Sequence, residues 1–142
     1  MIFWDTSALI RCYEPEEPCH ERARNLLLRE KGHAGCVLIR LEALSGIRRR
    51  FGRNAAQAGF LTRLVSEHLK HFDLSPIDDR VLGAGMLLVE RHALRAADAL
   101  HLGAALLLSR ELGRRQFRFA TLDREQAEAA RAERLKVLLL TG

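Results

Sequence analysis

The amino-acid sequence predicts a three-layer α/β fold, in which a parallel sheet of five short strands is flanked by helices. Short apolar segments rich in β-forming residues alternate along the chain with longer segments of helical spacing. The strand segments are apolar on both faces, which is typical of parallel strands covered by helices on both sides of a sheet. The composition, 48% hydrophobic and 29% charged over 142 residues, is typical of a globular protein. We therefore expect residues 1–142 to form a single domain.

Each predicted strand is short and is followed by a turn or by a helix signal. The first is MIFW, which ends at Asp5. The third is weak, and Pro76 ends it because proline cannot donate a hydrogen bond to a neighbouring strand. In chain order the five strands cover residues 1–4, 34–38, 71–76, 117–122 and 136–141.

Seven segments between these strands have helical character. In the third, apolar residues recur at helical spacing from Ile39 until Gly52 ends the helix. Asn54 and Asp78 are residue types that cap helix N-termini, and each precedes a helical segment. In chain order the predicted helices cover residues 7–13, 20–30, 39–51, 55–69, 79–92, 93–112 and 123–133.

Arginine dominates the charge of the chain, which has a net charge of +5. A basic balance permits a polyanionic partner, because guanidinium groups pair with phosphate through forked donors. An arginine-rich genome that scatters these residues over solvated helix faces would give the same composition.

No basic region precedes the N-terminal apolar residues, and no apolar run is long enough to span a bilayer. The three cysteines show no CxxC spacing, so we expect reduced thiols in a cytoplasmic protein.

Four acidic residues fall where ligand sites form in α/β sheets. Asp5 and Asp123 directly follow predicted strands, and ligands bind beyond the carboxyl ends of such strands. Glu42 lies one turn into the helix after the second strand. Asp98 lies near the start of a segment that is almost entirely alanine and leucine, where an unpaired carboxylate is costly. All four side chains could therefore converge on one edge of the sheet.

Each acid also has an ordinary structural explanation. Asp5 could cap the helix that follows it. Asp123 with Gln126 resembles a capping box. Glu42 could be a solvated acid on an amphipathic helix, and Asp98 could form a salt bridge with Arg95. Taken singly, none of the four acids indicates a catalytic site.

Four motifs together resemble those of PIN domains, most closely the VapC-type toxin ribonucleases of toxin–antitoxin pairs. The resemblance covers essentially the whole chain, in the expected order. It implies that four acids hold Mg²⁺ or Mn²⁺ and that two hydroxyl residues accompany the first and last acid. The motifs are WDTSALI, IRLEALSGIRRR, LRAADALHLGAAL and FATLDREQAEAA; the acids are Asp5, Glu42, Asp98 and Asp123; the hydroxyl residues are Ser7 and Thr121.

Elementary chemistry agrees with this implication. Two carboxylates 4 Å apart repel by about 4 kcal/mol at an effective dielectric constant near 20, and a divalent cation relieves that repulsion. A bound cation can activate water for attack on a phosphodiester. The departures from the pattern are Trp4 in front of Asp5, and Glu125, which could act as an additional acid.

The resemblance also implies partners. They are an RNA substrate, a second copy of the chain in a homodimer, and a small antitoxin whose tail occupies the acidic site. The arginines between Arg48 and Arg53 could guide an RNA backbone towards Glu42. Apolar residues in SALIRCY and in the Phe60–Leu69 segment could form a groove for the antitoxin, although core packing explains most of them equally well.

Three other classes of protein share some of these features. A catalytically inactive PIN-fold protein could serve as an RNA-binding or interaction module, but degenerate sites usually lose an acid. A phosphohydrolase of the haloacid-dehalogenase type needs a second aspartate two residues after the first, where this chain has Ser7. A receiver domain needs a phospho-accepting aspartate after the third strand and a later lysine, and the sequence shows neither.

Overall fold

The computed structural model describes residues 1–141, which form five strands and seven helices. A short 3₁₀ turn, Arg114–Gln116, precedes the fourth strand. The strands are β1 (Ile2–Trp4), β2 (His33–Cys36), β3 (Asp73–Ser75), β4 (Arg118–Thr121) and β5 (Lys136–Leu139). The helices are α1 (Thr6–Arg11), α2 (His20–Arg29), α3 (Leu38–Phe51), α4 (Ala55–Leu69), α5 (Asp79–Arg91), α6 (Ala96–Leu112) and α7 (Arg124–Ala132).

The strands form one parallel sheet in the order β3-β2-β1-β4-β5. In the central strand, Phe3 is in register with Ala34 of β2 and Phe119 of β4. The chain adds β2 and β3 on one side of β1 and then crosses to the other side for β4. The carboxyl ends of β1 and β4 therefore flank the point where the strand order reverses, which is where open α/β sheets form their ligand crevice. The predicted fold class is confirmed.

Alternating side chains of β1 enter two separate cores because successive residues of a strand point to opposite faces. Ile2 and Trp4 pack in a core that includes residues of α1, α3 and α4. Phe3 packs in the other core, with residues of α5, α6 and α7. All three side chains are inaccessible to solvent. The central strand is thus covered on both sides, as the apolar pattern predicts.

Several element ends differ from the predicted ones by one to three residues, and two of these differences have local reasons. The second strand ends at Cys36, two residues early, because Val37 already has helical backbone angles and is the N-cap of α3. The helix that carries Asp98 begins at Ala96, three residues late, because Arg95 is extended. No helix within residues 1–141 combines the length and apolarity needed to cross a membrane.

Candidate active site

Asp5 is a buried carboxylate at the end of β1. Its side chain caps α1 by accepting a hydrogen bond from the Ser7 amide at 3.3 Å. The Ser7 hydroxyl donates to the same oxygen, Oδ2, at 2.5 Å, and the Thr121 hydroxyl lies 3.3 Å from it. Both hydroxyl residues singled out in the sequence therefore contact Asp5, which is only 4% exposed. The capping explanation for Asp5 is confirmed, and it coexists with a place beside the other acids.

Asp123 occupies the equivalent position after β4, on the other side of the crevice. It caps α7 by accepting a hydrogen bond from the Gln126 amide at 3.0 Å. Its own backbone amide donates to the Thr121 hydroxyl at 3.0 Å. The reciprocal bond of a capping box, from Asp123 N–H to the Gln126 side chain, is thus replaced by a bond to Thr121.

Asp98 lies in the first turn of α6 and is half-buried. Burial, together with the negative charges of Asp5 and Asp123, raises the pKa of Asp98 from 3.8 to about 6. Arg95 lowers this pKa, but its effect is the smallest of those acting on the group. Asp5 and Asp123 therefore act electrostatically on Asp98, and Arg95 does not cancel their effect. We call Asp5, Asp98 and Asp123 the aspartate cluster.

Glu42 is held differently, by two donors on one of its oxygens. Thr6 donates to Glu42 Oε1 at 2.8 Å, and Nε2 of His101 lies 2.5 Å from the same atom. Burial opposes ionisation of Glu42, but these hydrogen bonds and the charge of His101 hold its pKa below the ordinary value.

His101 contacts Thr6 and Glu42, and its side chain is only 1% exposed. Burial disfavours its charged form, yet the bond to Glu42 and the charges of Asp5, Glu42 and Asp98 together raise its pKa above the ordinary value. Its other ring nitrogen, Nδ1, is buried without a hydrogen-bond partner in the part of the chain described here. The surroundings of His101 therefore favour its protonated form more than water does.

Three helix ends point towards the aspartate cluster. Asp5 and Asp123 are the N-terminal caps of α1 and α7, and Asp98 is in the first turn of α6. The N-terminus of a helix carries partial positive charge, which stabilises a nearby carboxylate. Glu42, the fifth residue of α3, lies too far along its helix to gain this stabilisation. Three backbone dipoles thus partly offset the mutual repulsion of the aspartates.

The donor set suits a hard divalent cation. Among residues 1–141, no group of three or more His, Cys, Asp or Glu side chains is already drawn together as a metal site. Mg²⁺, however, commonly takes one or two carboxylates directly and keeps several waters. The mutual repulsion that raises the pKa of Asp98 is what a cation would relieve. Asp5, Asp98 and Asp123 are therefore the residues that could hold Mg²⁺ or Mn²⁺, while Oε1 of Glu42 is already engaged.

Three residues in contact with the predicted acids were not predicted from sequence in these roles: Thr6, His101 and Gln126. Thr6 and His101 hold Glu42. Gln126 is fully buried and donates to Asp5 and to the Asp98 carbonyl. A histidine in the otherwise apolar segment around Asp98 was the available signal for His101. Glu125, by contrast, is exposed.

The arginines after Glu42 divide into two groups. Arg50 is tied to the turn after α1, with its Nε 2.8 Å from the buried carboxylate of Glu14 and a second ion pair to Glu17. Arg48, Arg49 and Arg53 are exposed. Arg48, Arg49 and Arg53 are therefore free to meet a polyanion, whereas the guanidinium of Arg50 already binds two carboxylates.

Comparison with known proteins identifies the family. No curated protein matches the chain. The crystal structure of FitAcB from Neisseria gonorrhoeae has a similar fold, with a TM-score of 0.73 over 97% of this chain and 96% of that chain at 20% sequence identity. A family model described as PIN domain matches residues 2–132. Because that match spans nearly the whole sequence, this chain belongs to the PIN domain family.

Proposed function

We propose that this chain is a Mg²⁺- or Mn²⁺-dependent endoribonuclease, the toxin of a VapBC-type toxin–antitoxin pair, and that residues 1–142 act as one such domain. PIN domains are generally nucleases. The observation that supports the proposal is the aspartate cluster beside the switch point of the sheet, in which Thr121 contacts both Asp5 and Asp123, and Gln126 joins Asp5 to the backbone of Asp98. Without a cation, the mutual repulsion of the three carboxylates costs stability.

The four acids have distinct roles in this proposal. Asp5, Asp98 and Asp123 hold the cation, and Glu42 borders the site from α3. When bound, Mg²⁺ or Mn²⁺ supplies Lewis-acid activation of water and of the scissile phosphodiester. The chain's own contribution is orientation, because Ser7 and Thr121 contact Asp5 Oδ2 and restrict its carboxylate.

RNA is the proposed substrate, and the charge of the chain suits it. Arg48 and Arg49 are exposed on α3, which also carries Glu42. Arg48 follows Glu42 by six positions in the helix, which is a rise of about 9 Å along the helix axis. Arginines at that distance could bind the phosphates of a strand whose scissile bond lies at the aspartates.

The proposed antitoxin would place a basic side chain among the aspartates and so compete with the cation. The surface that suits the rest of its tail is a cleft of about 430 Å³ beside α3 and α4, whose lining includes Leu44, which is 38% exposed, and the basic residues Arg40 and Lys70. In SALIRCY, the segment suggested above, Leu9 and the other main apolar side chains are buried in the core. The antitoxin surface is therefore proposed for α4 and not for α1.

A second copy of the chain is the other proposed partner. Leu82, Met86 and Val89 recur at helical spacing on α5 and are 49%, 63% and 48% exposed. They border an apolar cleft that reaches Leu100 of α6. Exposed apolar patches of this kind mark interaction surfaces, and this one adjoins the helix that carries Asp98.

RNA cleavage by the purified protein tests the proposal. We expect cleavage of a panel of tRNA, rRNA and mRNA with Mg²⁺ or Mn²⁺, and none with a chelator. Asp98→Asn should lower the rate by about 100-fold or more, since loss of even an indirect metal contact costs 10- to 100-fold. Asp73→Asn, the same change at an exposed position on β3, should not change it. Cleavage that persists in chelator, or in Asp98→Asn, would contradict the mechanism.

Expression in cells tests the toxin role. We expect the protein to inhibit growth when it is expressed alone, and we expect a co-expressed antitoxin to relieve that inhibition.

A catalytically inactive PIN-fold module that binds RNA is the second candidate. The engagement of Glu42 by His101 favours it, because the resemblance implies Glu42 as a fourth ligand and the histidine occupies one of its two oxygens. RNA binding without cleavage at saturating Mn²⁺ would support this alternative.

A further inference from the structure

Gln126 is a fully buried amide at the centre of the aspartate cluster. It is the third residue of α7, and its side chain is inaccessible to solvent. Its Oε1 accepts a hydrogen bond from the Thr121 hydroxyl at 2.7 Å. Its Nε2 donates to the backbone carbonyl of Asp98 at 3.2 Å and, at 3.4 Å, to Asp5 Oδ1. One side chain therefore joins the end of β1, the end of β4 and the first turn of α6.

The contacts allow only one orientation of this amide. Both atoms facing Nε2 are acceptors, and the atom facing Oε1 is a hydroxyl that donates. Rotating the amide by half a turn would place its oxygen against a carboxylate and a carbonyl, leaving buried acceptors without donors. A glutamine supplies the required two donors and one acceptor, and it adds no charge.

The local sequence offers this glutamine a different bond, which it does not make. In a capping box the residue at this position turns back to the backbone amide of the cap. Here Asp123 N–H is bound by Thr121 instead, and the Gln126 side chain reaches across the crevice to two other segments. The long-range contacts have replaced the local one.

We propose that Gln126 is a positioning residue that sets the spacing of Asp5 and Asp98 and thereby the cation affinity of the site. The proposal rests on the function proposed above. Gln126 binds Asp5 through the side chain and α6 through the main chain beside the Asp98 carboxylate. Because it is neutral, it orders two carboxylates without neutralising either of them, so their charge stays available to a cation.

Two substitutions of similar size separate this role from packing. Gln126→Leu removes the donors and the acceptor. Gln126→Glu also removes the amide donors but places a fourth carboxylate beside Asp5. Ser109→Ala is the control, since Ser109 is equally buried and its hydroxyl only donates to the carbonyl of Leu106 within α6. For each variant, calorimetric titration with Mn²⁺ gives the dissociation constant, and thermal unfolding is followed with and without Mn²⁺.

We expect Gln126→Leu to weaken Mn²⁺ binding by about 10- to 100-fold, the usual cost of losing a residue that orients a ligand. Gln126→Glu should lower the metal-free unfolding temperature but gain more from Mn²⁺ than the wild type does. Ser109→Ala should lose stability without a change in Mn²⁺ affinity. If Gln126→Leu does not fold, the Mn²⁺ response of Gln126→Glu decides alone.

Wild-type Mn²⁺ affinity in both Gln126 variants would overturn the proposal and leave the proposed function standing. A wild-type protein that neither binds Mn²⁺ nor cleaves RNA would overturn both.

Discussion

The two sides of the candidate site hold their acids in opposite ways. Asp98, on the α6 side, is surrounded by other negative charges, and burial with those charges raises its pKa to about 6. Glu42, on the α3 side, accepts hydrogen bonds from Thr6 and from His101, which hold its pKa below the ordinary value despite burial. The difference shows which side has hydrogen-bond donors on its carboxylate. Glu42 is bound by Thr6 and His101, whereas His101 acts on Asp98 only through space.

The largest effects on the free energy of unfolding should come from two single variants, each of which neutralises the acid on one side of the site. Without metal, Asp98→Asn should stabilise the protein because it removes repulsion. Discounted for solvent screening of a half-exposed group, the gain is about 1 kcal/mol, or roughly 3 °C. Glu42→Gln should cost about 2 kcal/mol, because it weakens hydrogen bonds to a charged acceptor. Urea unfolding in a chelator measures both. Stabilisation by Glu42→Gln, or destabilisation by Asp98→Asn, would contradict the claim that the fold stabilises the charge of Glu42 and destabilises that of Asp98.

The pH dependence of metal-free stability should separate the two sides further. Asp98 has a raised pKa, so the folded state binds more protons than the unfolded state between about pH 4 and 6, and stability falls as pH rises through this window. His101 also has a raised pKa, and its contribution is lost as pH rises through that value. Glu42, with its lowered pKa, contributes stability that is lost only as pH falls through its own value.

The unfolding free energies of the wild type and of Asp98→Asn, measured from pH 4 to 8 in a chelator, isolate the contribution of Asp98 as their difference. That difference should change between pH 4 and 6, with the wild type losing stability relative to Asp98→Asn as pH rises. Parallel profiles for the two proteins would show that Asp98 does not carry the repulsion.

The smallest effect should come from the hydroxyl on the Glu42 side. Thr6→Val removes the donor 2.8 Å from Glu42 Oε1 and should cost about 1 kcal/mol at neutral pH. The cost should shrink in acid, where Glu42 takes up a proton. Thr62→Val is the control, because that hydroxyl donates only to the carbonyl of Gly59 in its own helix. Equal costs at the two positions, independent of pH, would mean that Thr6 does not support the ionised form of Glu42.

Sequence reasoning could predict the features that depend on local pattern. The strands and helices follow from apolar periodicity, and the positions of Asp5 and Asp123 follow from where strands end. The bonds that decide how each acid is held could not be predicted in this way. His101 and Glu42 are 59 residues apart, and Gln126 and Asp98 are 28 apart, so no local pattern relates them. For Gln126 the local pattern was misleading, because the capping interpretation was chemically sound and a distant contact replaced it.

Anomalous diffraction from Mn²⁺ in crystals of the wild-type protein tests most directly whether the aspartates form a cation site. We expect a Mn²⁺ peak bordered by the carboxylates of Asp5, Asp98 and Asp123, and no such peak in Asp98→Asn crystals treated identically. An empty crevice at a saturating Mn²⁺ concentration, or an ion bound only elsewhere on the molecule, would contradict this.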